Sequence, residues 1–335
     1  MGGRGRQGAA VMPVEECRAA TALSDGVLAV NKPAGWTSHD VVAKLRPLFH
    51  GLKVGHAGTL DPAATGVLPI LIGQATRVAE YLVEWDKEYE TVLRLGQVTD
   101  TQDATGVVLE RRPVTGITLE RVCAEAARFV GRTMQVPPMY SAVKIAGVPL
   151  YRSARAGRTV EREPRTVTIH RLDVLGMDGP DIRLRVVCSK GTYIRTLCAD
   201  LGNALGPGGH TALLVRTRVG PLHLDQARTV DSIVEGLEAE KGPALSLSLD
   251  QALSLFAAGT VDEETARRAR HGMPVPVRAV IWTQEAAASC GEVERMVRIH
   301  DPQGRLLGLG LAAAPDNPDG VIRMRKVFAS SRTDS

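Results

Sequence analysis

The chain has 335 residues, 44% of them hydrophobic and 23% charged, with a net charge of +4 at neutral pH. That is the balance of a soluble globular protein with room for one large unit and a small one; no apolar run reaches the ~18 residues of a membrane span, and the mild positive charge permits an anionic partner without requiring one. Five cysteines (Cys17, Cys123, Cys188, Cys198 and Cys290), odd in number and widely spaced with no CxxC, argue against a zinc site or a disulfide framework and read as reduced thiols.

Residues 1–26 lack the apolar stretch of a secretory signal. Their Arg and Ala content suits an organelle transit peptide, Glu15 and Glu16 count against one, and a flexible tail is the expectation. "GVLAVNKPAGWTSHDVV" then opens with a strand at Val27–Val30 and turns at Lys-Pro-Ala-Gly. A helix follows, capped by Thr37 or Ser38, with Val41, Val42, Leu45, Leu48 and Phe49 on one face.

"GHAGTLDPAATGVLPILIG" comes next. Asp61 precedes Pro62, which pushes its backbone out of the α region. Gly55, Gly58 and Gly66 allow sharp turns and the close approach of another molecule, and the apolar run beyond enters the core as a strand. A lone carboxylate on a shaped, anchored loop suits a catalytic group; it also suits an aspartate that merely caps a turn. "EYETVLRL" is a strand whose Tyr89 either stacks on a base or packs in the core. "TLERVCAEAARFVG" is a second amphipathic helix, with Thr118 as cap, Leu119, Val122, Ala126, Phe129 and Val130 as its stripe, and Gly131 as the stop.

"YRSARAGRTVEREPR" concentrates Arg152, Arg155, Arg158, Arg162 and Arg165, and "VRTR" adds Arg216 and Arg218. Such patches suit phosphate backbones, or are simply solvated charge. Between them lie the strands "RTVTIHRLDVL" and "RLRVVCS", the latter alternating Leu184, Val186 and Cys188 against arginines. "CSKGTYIRTLCADLG" then delivers Lys190, Tyr193 and Arg195 beside a turn, and an arginine there is a natural partner for a buried carboxylate. His39, His50 and His56 lack metal-ligand spacing, and "GPGGH" follows a helix instead of opening one, which makes a poor phosphate loop. After about Pro243 the texture changes: "DEETARRARHGMPV" is a short helix, "RMVRIHDPQGRLLGLGLA" a hairpin turning at Asp301-Pro302-Gln303-Gly304, and "GVIRMRKVF" another strand. Helices and strands alternate without a βαβ rhythm, so the fold class is α+β with a mixed, mostly antiparallel central sheet and a small β-rich C-terminal unit.

From "NKPAGWTSHDVV" through "KVGHAGTLDPAATGVLPILIGQATR", "KEYETVLRLGQVTDTQDATG", "VPPMYSAVKIAGVPLYRSARAG" and "CSKGTYIRTLCADLG" to "TRVGPL", residues 27–221 resemble the bacterial tRNA pseudouridine synthases of the TruB family. The resemblance implies the pseudouridine synthase fold with a PUA-like C-terminal domain, and an isomerase that turns the uridine at position 55 of the tRNA TΨC arm into pseudouridine. It implies Asp61 as the catalytic aspartate, Arg195 as its partner with Tyr193 beside it, and Tyr89 as the residue that stacks on the base. Leu214 falls in the pocket wall, and His56 and Lys190 fall on the substrate side. Arg152, Arg155 and Arg158 fall in an inserted loop, residues 151–165, that grips the tRNA. Val215 stands where the family pattern has a second basic residue. By the same resemblance the expected layout is a tail (1–26), a catalytic domain (27–250) and an RNA-binding domain (251–330). The expected protein is cytoplasmic and monomeric, with no cofactor, no membrane contact and no obligatory protein partner, and it can also assist tRNA folding. Two rivals to this reading are an RNA chaperone that has kept the fold and an RNA-guided synthase of the ribonucleoprotein type.

Overall fold

The computed structural model describes residues 25–141, 143–145, 147–158, 160–238, 246–284, 295–312, 317 and 319–328. Cys17, Cys290 and the tail up to residue 24 lie outside these. Asp25 and Gly26, assigned to the tail from sequence, belong to the fold: Asp25 Oδ1 accepts the Gln74 N–H at 2.8 Å, and Gly26 opens the first strand.

Eight strands build the body of the central sheet: β1 (Gly26–Lys32), β2 (Val54–His56), β3 (Thr65–Ile72), β4 (Lys87–Leu95), β5 (Gly131–Gln135), β6 (Arg165–Asp178), β7 (Asp181–Cys188) and β8 (Gly209–Val219). From edge to edge the order is Arg228–Thr229, β1, β3, β8, β4, β7, β6, β5, with β2 paired to β3. Most pairings are antiparallel, as expected; β1 with Arg228–Thr229 and β3 with β8 are parallel. The β3–β8 junction matches Thr65 with Val215 and Gly66 with Arg216, and the candidate site is built around it. A side chain at position 66 could not be accommodated: φ is +102°, and a Cβ there would lie 2.2 Å from the Arg216 carbonyl oxygen.

Strand alternation divides the apolar residues between two faces. Leu28, Val30, Leu68 and Ile70 pack under α1 (Ser38–Leu45), α2 (Leu119–Ala127) and α4 (Ile194–Leu205), the last of which contributes Ile194, Leu197, Cys198, Leu201 and Leu205. Helix α1 begins at a capping box between Thr37 and Asp40, and Thr118 caps α2 as read from sequence. The stripe through Leu48 and Phe49 is not one helix, however. Pro47 cannot donate within an α-helix, and Arg46–Phe49 tightens into a 3₁₀ turn. A short helix, α3 (Leu150–Arg155), lies in the insertion between β5 and β6.

On the other face, Val27, Ala29, Val67, Leu71 and Trp85 meet Leu249, Ala252 and Leu253 of the connecting segment, and then Leu309 and Phe328 of the C-terminal sheet. That second sheet has six strands in the order Val275–Pro276, Val321–Val327, Leu306–Ala312, Arg295–His300, Ala257–Thr260, Ile281–Gln284, over its own core of Val297, Ile299, Ala266 and Ala269. The Asp262-capped helix Glu263–Arg270 and the Asp301–Gly304 turn stand where the sequence placed them. A Lys326–Glu80 ion pair at 2.9 Å and an Arg77 hydrogen bond to the Val327 carbonyl at 2.7 Å tie the two sheets together, leaving the helical side of the central sheet uncovered by the C-terminal unit.

Gly66→Ala is expected to lower unfolding stability by on the order of 2–4 kcal/mol, through left-handed strain added to overpacking against β8. Urea unfolding measures it, and a loss under about 0.5 kcal/mol would mean that the β3–β8 junction yields to a methyl group.

Candidate active site

The loop from Gly58 to Ala64, between β2 and β3, is held by its own peptide groups. Ser38 Oγ accepts the Leu60 N–H at 2.9 Å and donates to the Leu60 carbonyl at 3.2 Å. Lys32 Nζ donates to the carbonyls of Pro33 (2.8 Å), Trp36 (2.7 Å) and Pro62 (3.2 Å), and the Gly35 N–H also reaches Pro62 O. Arg216 Nη2 donates to Gly58 O at 2.9 Å, Nη1 to Thr59 O at 3.4 Å and Nε to Val67 O at 2.7 Å. Lys32 and Arg216 are 0% and 1% exposed, so both cations are spent inside the protein. Burial lowers the Lys32 ammonium to about 8, against the pull of nearby Asp61. Arg216 therefore corrects the sequence reading: it is no part of a phosphate-binding surface. Its neighbour Arg218 pairs with Glu88 at 3.7 Å.

This clamped loop presents Asp61 to Arg195, in the first turn of α4. Arg195 Nε lies 2.8 Å from Asp61 Oδ2, and Nη1 lies 3.6 Å from Asp103 Oδ2. The rest of the guanidinium is used by the carbonyls of Thr101 (2.8 Å) and Tyr140 (2.7 Å), so it has little freedom to move. Asp103 is itself fixed, its Oδ1 accepting from Thr101 Oγ1 (2.7 Å), the Thr105 N–H (2.9 Å) and Thr105 Oγ1 (2.6 Å). The result is a carboxylate–guanidinium–carboxylate chain in which Arg195 is 4% exposed and the Asp61 side chain 36%. Burial pushes the Asp61 carboxyl up from the ordinary range; Arg195 and Lys32 pull it back, and Asp103 adds to the rise.

Asp61 and Arg195 line a pocket of about 360 Å³ whose walls include Tyr89, Tyr193, Ile194, Leu214 and Val83. Tyr89 is buried on β4, and burial pushes its phenol up. Tyr193, just ahead of α4, has its backbone bracketed by Gln135: its N–H donates to Oε1 at 2.7 Å and its carbonyl accepts from Nε2 at 3.0 Å. Lys87, lowered to about 8 chiefly by burial, donates to the carbonyls of Val83 (2.6 Å) and Trp85 and secures that wall. Lys190 sits at the rim, half-exposed and paired with Glu84.

The structure thus brings Asp61, Tyr89, Lys190, Tyr193, Arg195 and Leu214 together as read from sequence. His56 lies outside the pocket lining, on β2, with a buried Nδ1 that has no hydrogen-bond partner among the described residues. Arg152 and Arg158 are exposed on the insertion, where Arg155 ends α3. Val215 occupies the β8 position paired with Thr65 and Glu90. Sequence reading missed Lys32, Asp103, Gln135 and the clamping role of Arg216. One signal was present: Leu214 and Arg216 are two apart on a strand and so share a face, which places Arg216 on the same side as a pocket residue.

Comparison with known proteins places the chain among close relatives. The TruB family pseudouridylate synthase N-terminal domain model matches residues 46–194, and the tRNA pseudouridylate synthase B C-terminal domain model matches residues 195–254. The protein named tRNA pseudouridine synthase B from Ectopseudomonas mendocina (strain ymp) is 47% identical over 306 residues, covering 91% of this chain and 95% of the relative. The protein of that name from Stutzerimonas stutzeri (strain A1501) is 45% identical over 309 residues, covering 91% and 96%. Among solved structures, a Cbf5-Nop10-Gar1 complex matches with a TM-score of 0.73 at 27% identity, covering 92% of this chain and 87% of that one. An H/ACA RNP bound to a substrate RNA containing 2'-deoxyuridine matches with a TM-score of 0.70 at 25% identity, covering 92% and 86%.

Arg216→Met removes the donor to three carbonyls at once, and the expected stability loss is about 3 kcal/mol or more, from buried acceptors left unpaired. Arg218→Met, which breaks a partly exposed pair, is expected to cost no more than about 1 kcal/mol. Equal losses in urea unfolding of the two variants would refute the clamping role.

Proposed function

The chain belongs to the TruB family of pseudouridylate synthases, and on that footing we propose that it is a tRNA pseudouridine synthase acting on the uridine at position 55 of the TΨC arm. The observation that carries this reading is the Asp61–Arg195 ion pair at the wall of a pocket that also holds Tyr89 and Tyr193.

The chemistry accounts for the residue types. The uridine must be flipped out of its loop, at a cost on the order of a few kcal/mol, and Tyr89 offsets part of that by stacking, worth about 1–3 kcal/mol per base. The N1–C1′ bond then breaks, the uracil turns in place, the C5–C1′ bond forms, and the C5 proton is lost while N1 gains one. Every atom is conserved, so the isomerisation needs no oxidant or reductant. Asp61 acts as a carboxylate, either attacking the sugar or taking its C2′ proton, and Arg195 favours that charged form. Leu214 and the surrounding apolar wall retain the detached base. Burial pushes the Tyr193 phenol up, so it is neutral near pH 7 and can take the C5 proton only while passing its own on; Ser141 lies beside it.

Outside the pocket, exposed Arg152 and Arg158, with Arg155, suit the phosphates of the tRNA arm; His56, also outside it, and Lys190, in its lining, suit flanking nucleotides. We assign residues 27–250, together with Asp25 and Gly26, to the catalytic domain and 251–330 to a PUA-like RNA-binding domain. Leu249, Ala252 and Leu253 pack in the core shared by the two sheets and Ala257 in the core of the C-terminal sheet alone, which supports a boundary in that stretch. The strand Val321–Val327 exposes Arg323 and Arg325, which suit further RNA contacts. Identities of 45–47% to proteins named as synthase B, against 25–27% to chains of the Cbf5-Nop10-Gar1 and H/ACA RNP complexes, favour a stand-alone monomer acting in the cytoplasm over an RNA-guided assembly.

The test is incubation of purified, EDTA-treated and dialysed protein with an unmodified tRNA transcript, without guide RNA, followed by nucleoside mass spectrometry. One pseudouridine per tRNA, in the TΨC arm, is expected; activity only with added guide RNA would favour the ribonucleoprotein reading. Asp61→Asn is expected to fall below about 1% of wild-type turnover with tRNA affinity within about tenfold, the signature of a group needed in the transition state rather than for binding. Replacing both Arg152 and Arg158 by Ala is expected to flatten the log–log salt dependence of tRNA binding by roughly 0.7–0.9 for each phosphate that is no longer neutralised. An unchanged slope would remove the insertion from the RNA interface.

A further inference from the structure

The insertion between β5 and β6 leaves and returns at a single point. Gln135, the last residue of β5, is backbone-paired with Arg165, the first of β6. Everything from Val136 to Pro164, including exposed Arg152 and Arg158, hangs from that pair. Three contacts run from Gln135 and the residues that follow it into the candidate active site. The buried Gln135 amide brackets the Tyr193 backbone with two hydrogen bonds, the Tyr140 carbonyl accepts from Arg195 Nη2 at 2.7 Å, and Ser141 lines the pocket beside Tyr193. Helix α4 has no side-chain cap of its own at Tyr193. Its first turn, which carries Arg195, is held by Gln135 at the Tyr193 peptide and by a Thr196 Oγ1 hydrogen bond to Gln102 Oε1 at 3.0 Å.

We propose that Gln135 is a positioning residue, and that the strap from Gln135 to Ser141 couples RNA held on the insertion to the placement of Tyr193 and Arg195. The inference rests on the functional reading above. Gln135 touches neither the base nor the sugar; it acts through the Tyr193 peptide. A glutamine is suited to the task because one planar amide offers both the acceptor that the Tyr193 N–H needs and the donor that its carbonyl needs. Glutamate keeps the acceptor and loses the donor; methionine keeps the length and loses both. Pulling on the insertion shifts the Gln135–Arg165 pair and the Tyr140 carbonyl together, so RNA bound to the exposed arginines reaches the ion pair through a short stretch of chain.

Two measurements on the full-length protein decide it. The first is amide hydrogen exchange of peptides covering Tyr193–Leu197, with and without an unmodified TΨC stem-loop. The wild type is expected to gain protection there on binding RNA. Gln135→Met is expected to exchange faster in the free state and to gain little. The second is the single-turnover rate beside the dissociation constant. Gln135→Met is expected to lose about tenfold or more in rate, the loss of one or two buried hydrogen bonds, with affinity within about threefold; Gln135→Glu is expected to fall between it and wild type. A Gln135→Met enzyme with wild-type rate and wild-type exchange would overturn the proposal. So would a variant that loses rate, affinity and global stability in proportion, because that is what a merely structural residue does. A wild type that binds the stem-loop without modifying it would defeat the functional reading instead, and the exchange comparison would still decide for or against the strap.

Discussion

On the proposed mechanism, a carboxylate that must stay charged beside a detached base needs a counter-charge that cannot drift away. Removing either ion from water costs several kcal/mol, and breaking such a pair by deleting one partner leaves the other uncompensated. Asp61 and Arg195 meet that constraint by geometry. Two carbonyls and Asp103 fix the guanidinium, and the carboxylate faces it from a loop that has no slack. The two ionic partners are far apart in the chain, on different elements, and nearly every other feature of the site can be traced to bringing them together and holding them.

The loop has no slack because two further cations are spent on its backbone. Lys32 and Arg216 neutralise no carboxylate in direct contact; they satisfy carbonyl oxygens that a tight, glycine-containing turn would otherwise leave buried and unpaired. Arg216 can do so because β8 runs parallel to β3 at that point, and β3 can approach so closely because residue 66 is glycine. The C-terminal sheet docks on the opposite face, through Leu309 and Phe328, away from the helix that carries Arg195. Fold and chemistry are thus coupled at one strand junction.

Much of this was readable from the chain. The strands, the Thr37 and Thr118 caps and the Asp301 turn follow from local rules, in which the partners lie within a few residues of each other. Proline, glycine and an apolar run around Asp61 marked it as a candidate but left a catalytic group and a turn cap both open. The family resemblance, more than residue pattern alone, singled out Asp61, Tyr89, Tyr193 and Arg195. What escaped were contacts between distant segments: Arg216 to the Gly58 carbonyl, Lys32 to Pro62, Gln135 to Tyr193. A backbone carbonyl carries no sequence signature, so a side chain recruited to satisfy one looks like any other polar residue until the fold brings the two together. The 3₁₀ turn after Leu45 escaped for another reason: the apolar stripe continued, but Pro47 outweighed it.

The most direct test of the ion-pair account is the titration of Asp61 itself, followed by its carboxyl ¹³C resonance and assigned by its loss in Asp61→Asn. Burial dominates over Arg195, so the inflection is expected above the usual aspartate range, with the group ionised at neutral pH. Because the folded pKa is raised, the buried carboxylate is destabilising at pH above that inflection, and the penalty fades as pH falls through it toward the unfolded value. In Arg195→Met the inflection is expected to move higher still. A wild-type inflection above neutral pH, or one that does not move when Arg195 is replaced, would contradict the claim that a buried arginine holds this carboxylate in its charged form.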